Sequence, residues 1–238
     1  MKTVQQFIKA KAGIMAFLGL IILSLSSCLK DNNNVTPLPP AAYVSVINAL
    51  PGSQSVEVYF DQNLATQYAL NFGNNQDYIA ASTGKRTITY YTTGSKQKLQ
   101  SDTITLQGNK NYSAYLTGTT AQPEVVILKD EATQPDAGKA IVRLVNVSAN
   151  APAISLVVRN GATLATSIAY KGASPFVQVQ GNTAYTMDVV QAGTSTILGT
   201  VSNVNIKNNG VYTVWLYGSA TATDTNKLTA GLQVNGAF

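Results

Sequence analysis

From residue 41 onward the chain is written as short runs of alternating apolar and polar residues, broken by Gly, Pro, Asn and Ser. Val44 and Val46, then Val56, Val58 and Phe60, recur at the period of two that places every second side chain on one face of a strand. Further strands are expected at Ile79–Ala81, Arg86–Tyr91, Thr103–Leu106, Tyr112–Leu116 and Val125–Leu128. Pro51-Gly52, Gly73-Asn74-Asn75, Gly94-Ser95 and Gly108-Asn109 punctuate them as turns. That makes about seven short strands, the usual number for an immunoglobulin-like sandwich. No useful window beyond residue 40 shows the 3.6 period of an amphipathic helix.

The pattern occurs twice. Ala42–Asn48 lies against Ala140–Asn146, and Ser55–Phe60 against Ala153–Val158, at a constant offset of 98. Gly94 matches Gly193 at 99, and Tyr112–Gly118 matches Tyr212–Gly218 at 100. A drift of two residues fits insertions confined to loops. The expectation is an all-β protein of two tandem antiparallel β-sandwich domains, 41–131 and 139–238, joined by the polar stretch 130–138. Leu106 precedes Tyr112 by six residues across a Gly/Asn turn, and Ile206 precedes Tyr212 by the same spacing. This resembles the tyrosine corner of Greek-key sandwiches, in which the phenol bonds back to the backbone before its strand.

The first 27 residues read differently. Lys2, Lys9 and Lys11 precede Ala12–Leu25, 14 residues without a charge. That length suits the roughly 7–15 residues of a secretory apolar region and falls short of the about 20 that span a bilayer. Leu25-Ser26-Ser27-Cys28 resembles a bacterial lipobox, so 1–27 is expected to be a cleaved lipoprotein signal peptide with Cys28 lipidated. The alternative is a free cysteine behind an ordinary signal peptide or an uncleaved anchor. Residues 28–40, polar and then rich in proline, read as a tether. Leu29 after the cysteine favours an outer-membrane lipoprotein, facing the cell surface or the periplasm. The full chain of 238 residues carries a formal net charge of +5. Without the three leader lysines it carries +2, so most of the basic character belongs to the export signal.

Val46–Tyr59, which contains Asn48 and Pro51, resembles the opening of the domain of unknown function 4397 family. There a strand ends in His or Asn, a Pro-containing turn follows, and an alternating strand begins. Arg143–Ile154, with Asn146 and Pro152, is a second copy that keeps the later proline and loses the earlier one. The aromatic strands before Gly118 and Gly218 resemble the family's later motif. The resemblance implies secreted or lipid-anchored bacterial proteins built of β-sandwich repeats, with no shared catalytic residues.

Candidate chemistry is sparse. With no histidine there is no Ser-His-Asp or Cys-His nucleophile and no imidazole ligand, and one cysteine makes neither an internal disulfide nor a thiolate zinc site. The acids of the first repeat are unpaired across the duplication: Glu57 becomes Ser155, Asp61 becomes Arg159 and Asp77 becomes Pro175. No enzyme activity, cofactor or metal is expected. Asp61-Gln62-Asn63 and Asp130-Glu131 with Asp136 offer partial calcium ligand sets, but Asx-stabilised turns are the preferred reading. No basic run exceeds Lys85-Arg86, and nucleic acid is not an expected partner. Neighbouring strand residues face opposite ways, so Tyr90 and Tyr91, and Trp215 and Tyr217 with their neighbours, are candidates for an exposed aromatic surface. Core and cross-strand packing is the rival reading. Asn48 and Asn146 are candidates for a ligand contact or, by preference, for tying the turn backbone.

The expected function is a non-catalytic envelope lipoprotein acting as a binding, adhesion or scaffold module. Its partners would be the membrane, through the lipid anchor, and a glycan or protein ligand. The alternative is an extracellular glycan-binding or polysaccharide-processing accessory protein.

Overall fold

A computed structural model describes residues 40–238. The leader, Cys28 and the tether up to residue 39 lie outside the described residues. Pro39–Phe238 forms one compact unit. Its first half contains β1 (Ala42–Asn48), β2 (Val56–Phe60), β3 (Asn63–Leu64), β4 (Asn75–Ala81), β5 (Gly84–Thr92), β6 (Lys98–Leu106), β7 (Asn111–Thr119) and β8 (Gln122–Lys129). The second half repeats the series as β9 (Lys139–Asn146), β10 (Ile154–Val158), β11 (Thr163–Ile168), β12 (Val177–Gln180), β13 (Thr183–Gln191), β14 (Ile197–Ile206), β15 (Gly210–Tyr217) and β16 (Thr229–Ala237).

Each half is a sandwich of two four-stranded sheets, ordered β4-β1-β7-β8 over β3-β2-β5-β6 and then β12-β9-β15-β16 over β11-β10-β13-β14. The strand orders correspond one for one, so the all-β, twice-written sandwich is the fold. Two features differ from the sequence reading. Each repeat has eight strands, because the two-residue β3 is too short to signal itself. The sheets are also not wholly antiparallel: β1 pairs in parallel with β7, and β9 with β15. This order differs from the constant immunoglobulin arrangement while keeping the sandwich architecture.

The parallel pair explains a burial pattern that alternation does not. β2 reads buried-intermediate-buried, as a strand with one face in a core should. In β7 and β9, by contrast, seven consecutive residues are buried. One face of β1 and β7 supplies Val44, Val46, Ala114 and Leu116 to the first core, and Val142, Leu144, Val214 and Leu216 do the same for the second. The other faces meet each other. Ile47, Ala49, Tyr115, Val126, Val145, Val147 and Trp215 form a third apolar cluster between the repeats. Trp215 needs room there: a Cβ on Gly231 would sit 2.6 Å from its ring.

Polar residues share this junction. Asp130 accepts hydrogen bonds from Ser113 Oγ at 2.7 Å and Tyr78 Oη at 2.5 Å, and is ion-paired with Arg143. Arg143 Nε donates to Thr213 Oγ1, which donates to Asn235, and Asn235 Nδ2 donates to the Tyr78 hydroxyl. Both side chains of the Asp130–Arg143 pair are almost wholly buried. A carboxylate so enclosed by donors and a guanidinium is not a calcium ligand, and the linker acid is structural. Burial, followed by the Asp130 charge, pushes the Tyr78 phenol well above its ordinary range.

The repeated motif residues work locally. The Tyr112 hydroxyl accepts the Gln107 N–H at 3.1 Å, and the Tyr212 hydroxyl accepts that of Lys207 at 3.0 Å. Asn48 Nδ2 donates to the Leu70 carbonyl while its Oδ1 accepts the Leu50 N–H. Asn146 does the same with the Ile168 carbonyl and the Ser148 N–H, and also donates to the Pro152 carbonyl. Pro51-Gly52 makes the turn closed by Ser53 N–H to Leu50 O, with Gly52 at φ 75°. Gly118, next to last in β7, and Gly218, just after β15, have φ 90° and 93°, and a Cβ on either would lie 2.3 Å from a backbone carbonyl oxygen.

Candidate functional site

The outer sheet of the first repeat, β3-β2-β5-β6, has one face in the core and one in solvent. Val56, Val58 and Phe60 point inward from β2, so Glu57 and Tyr59 point outward. On β5 the inward set is Ile88, Tyr90 and Thr92, which leaves Thr89 and Tyr91 outside. Tyr91 lies opposite Glu57, and Tyr59 opposite Thr89, so the two tyrosines are diagonal neighbours. Their rings meet edge to face, with centroids 5.2 Å apart at 81°. Around them Asp61 and Gln62 from the β2–β3 turn and Lys96 from the β5–β6 hairpin complete an open cleft of about 410 Å³.

The polar lining is held by other contacts. Asp61 Oδ1 accepts the Thr87 N–H at 2.9 Å, and its Oδ2 lies 3.5 Å from Arg86. Thr89 and Ser101 share a hydroxyl hydrogen bond of 2.9 Å on the same face. Asp61 and Lys96 both have positive φ, 53° and 52°. Asp tolerates that conformation; for Lys it is uncommon.

Four aromatic residues were candidates for an exposed surface, and the structure separates them. Tyr90 is fully buried, its hydroxyl donating to the Ala114 carbonyl at 2.8 Å, and burial pushes its phenol far above the ordinary range. Trp215 is 1% exposed in the inter-repeat cluster, tilted against Tyr115 at 6.0 Å. Tyr217 is partly covered, stacked on Trp215 at 4.3 Å and edge-on to Phe72 at 5.2 Å. These three serve packing, because β5 turns Tyr90 into its own core and β15 is covered on both faces. Tyr91 is half-buried, as Tyr217 is, but sits on the outer face of its sheet. Its partner Tyr59 faces out because Val56, Val58 and Phe60 take the inward positions of β2.

The second repeat provides an internal control. Ser155, Val157 and Val190 hold the positions of Glu57, Tyr59 and Tyr91. Beside them Arg159 grips Asp188 through Nε at 2.9 Å and through Nη2 at 2.7 Å, with Thr200 donating to the same carboxylate. The same sheet folds without the tyrosine pair.

The sequence profile of the family described as Domain of unknown function (DUF4397) matches residues 42–157, which take in all of the first repeat and the opening of the second. Residues 42–157 carry a DUF4397 domain. No curated protein matches. Among solved structures, a family 26 carbohydrate-binding module from Eubacterium rectale in complex with maltoheptaose is 9% identical, covers 82% of this chain and 95% of its own, and has a TM-score of 0.26. A streptococcal virulence factor described as binding α-glucan is 12% identical over 73% of this chain and 92% of its own, with a TM-score of 0.24. The fimbrial anchor protein Mfa2 from Porphyromonas gingivalis is 11% identical over 82% and 98%, with a TM-score of 0.26.

Proposed function

We propose that this DUF4397 protein is a non-catalytic binding module of the cell envelope, lipid-anchored at Cys28 and tethered by residues 28–40. In this reading its two sandwich repeats, 41–131 and 139–238, are presented beyond an outer membrane. One observation carries the binding role: the first repeat displays the Tyr59–Tyr91 cleft where its duplicate folds with valines. The buried acids speak for structure over catalysis, since Asp130 and Asp188 are each held by an arginine and by hydroxyl donors. The anchor rests on Leu25-Ser26-Ser27-Cys28 following a short apolar run. Acylation at about 0.8 kcal/mol per buried CH₂ holds a protein stably once two chains are attached.

Cell fractionation tests the anchor. Wild type is expected with the outer membrane and in the detergent phase, and Cys28→Ser in the soluble fraction. Membrane retention of Cys28→Ser overturns lipid anchoring.

A further inference from the structure

We infer that the Tyr59–Tyr91 cleft binds the sugar rings of a neutral polysaccharide, which rests on the binding-module reading and gives it a ligand class. The second repeat shows that the fold asks only for Val157 and Val190 at these positions, so two partly exposed rings there have no structural requirement to meet. Their edge-to-face corner offers one ring face beside one ring edge. A pyranose presents C–H bonds on its faces and hydroxyls around its rim, so it lays apolar surface on a ring face while its hydroxyls reach sideways. The cleft supplies both kinds of partner. Asp61 accepts, Lys96 donates, and Gln62 and the tyrosine hydroxyls do either.

Charge and surroundings narrow the ligand further. Asp61 and Lys96 bring both signs to one site, which favours neither an anionic nor a cationic ligand. A standard protein partner would bury roughly 800 Å² of surface on each side. Beyond the two rings this face carries Leu64, opposite Tyr59, and otherwise the hydroxyl residues Thr89, Ser101 and Thr103. Lys96 adds a repeat-specific feature: the hairpin after Gly193 places no residue other than glycine at positive φ.

Native affinity electrophoresis of the detergent-solubilised full chain tests this. The gels contain amylopectin, xyloglucan, laminarin or mannan, with polygalacturonate as the charged comparison. Retardation is expected in at least one neutral gel, and Tyr59→Val with Tyr91→Val should weaken it at least tenfold. Gln62→Ala with Lys96→Ala, at exposed turn positions, should weaken it by several-fold and serves if the tyrosine variant does not fold. Absence of retardation in every neutral gel overturns the inference, as does equal retardation of both variants or retardation by polygalacturonate alone. Any of these results leaves the Cys28 fractionation result untouched, so loss of the sugar ligand and loss of the anchored module are separately visible.

Discussion

Asp130 carries more of this molecule than any other polar residue. It takes two hydroxyl donors from the first repeat and the guanidinium of Arg143 from the second, with almost no solvent access. A buried pair of this kind adds little over an apolar replacement, but removing one partner leaves the other charged and unpaired, at a cost of about 3–5 kcal/mol. Asp130→Ala should therefore lower unfolding stability by about that amount in urea titration. Adding Arg143→Ser, which copies Ser45 at the matching position of β1, should make the loss smaller than in the single variant. A double variant less stable than the single one would show that the charge is not what fails. Asp130 looked like turn chemistry in the sequence because its neighbours are Glu131, Pro135 and Asp136. Its partner lies 13 positions along and is recognisable only once β9 has folded back beside β8.

Among elements, β13 of the second outer sheet carries Asp188, ion-paired with Arg159, where the first repeat has Thr89 and Asp61. Arg159 holds the Asp188 carboxyl below its ordinary range, with the Thr200 hydroxyl helping. A depressed carboxyl contributes stability that is complete above the unfolded value, roughly 3.9. It loses that contribution as pH falls through the lower folded value. Arg159 is about half exposed, and solvent screening keeps the contribution small. The thermal midpoint of the wild type should fall on acidification below pH about 4, and Asp188→Asn should flatten part of that fall. An unchanged acid limb in Asp188→Asn would count against the pair. The strands themselves were legible because period-two patterning, turn residues and the 98–100 offset all point the same way. The outer strands kept that meaning in the structure. β1, β7, β9 and β15 did not, since the polar positions that alternation sends to solvent (Ser45, Ser113, Arg143 and Thr213) are buried against the other repeat. Tyr90, Trp215 and Tyr217 were ambiguous for the same reason: period fixes which residues share a face, and only packing decides what covers it.

At the scale of the whole molecule, the two repeats meet as a pseudo-two-fold pair. Tyr115 and Trp215, equivalent by sequence, pack against each other. β4 contacts β16, the counterpart of β8, and Glu124 of β8 reaches Lys171 and Tyr170 ahead of β12, the counterpart of β4. The same surface of each repeat covers the other, as in an isologous dimer. A shared apolar cluster and a buried ion pair across it predict one cooperative unfolding transition by calorimetry. Trp215→Ala should cost about 3–5 kcal/mol and destabilise both repeats together. Two resolved transitions in the wild type would refute the coupling.

That mutual cover has an evolutionary consequence. Inner-sheet substitutions must be answered by the opposite copy, so the inner faces are bound to change in concert. The outer sheets answer to no such partner, and there the copies have parted: one with a corner of tyrosines, the other with an arginine clasping an aspartate. Duplication left this chain one surface committed to holding itself together and two surfaces free to acquire separate uses.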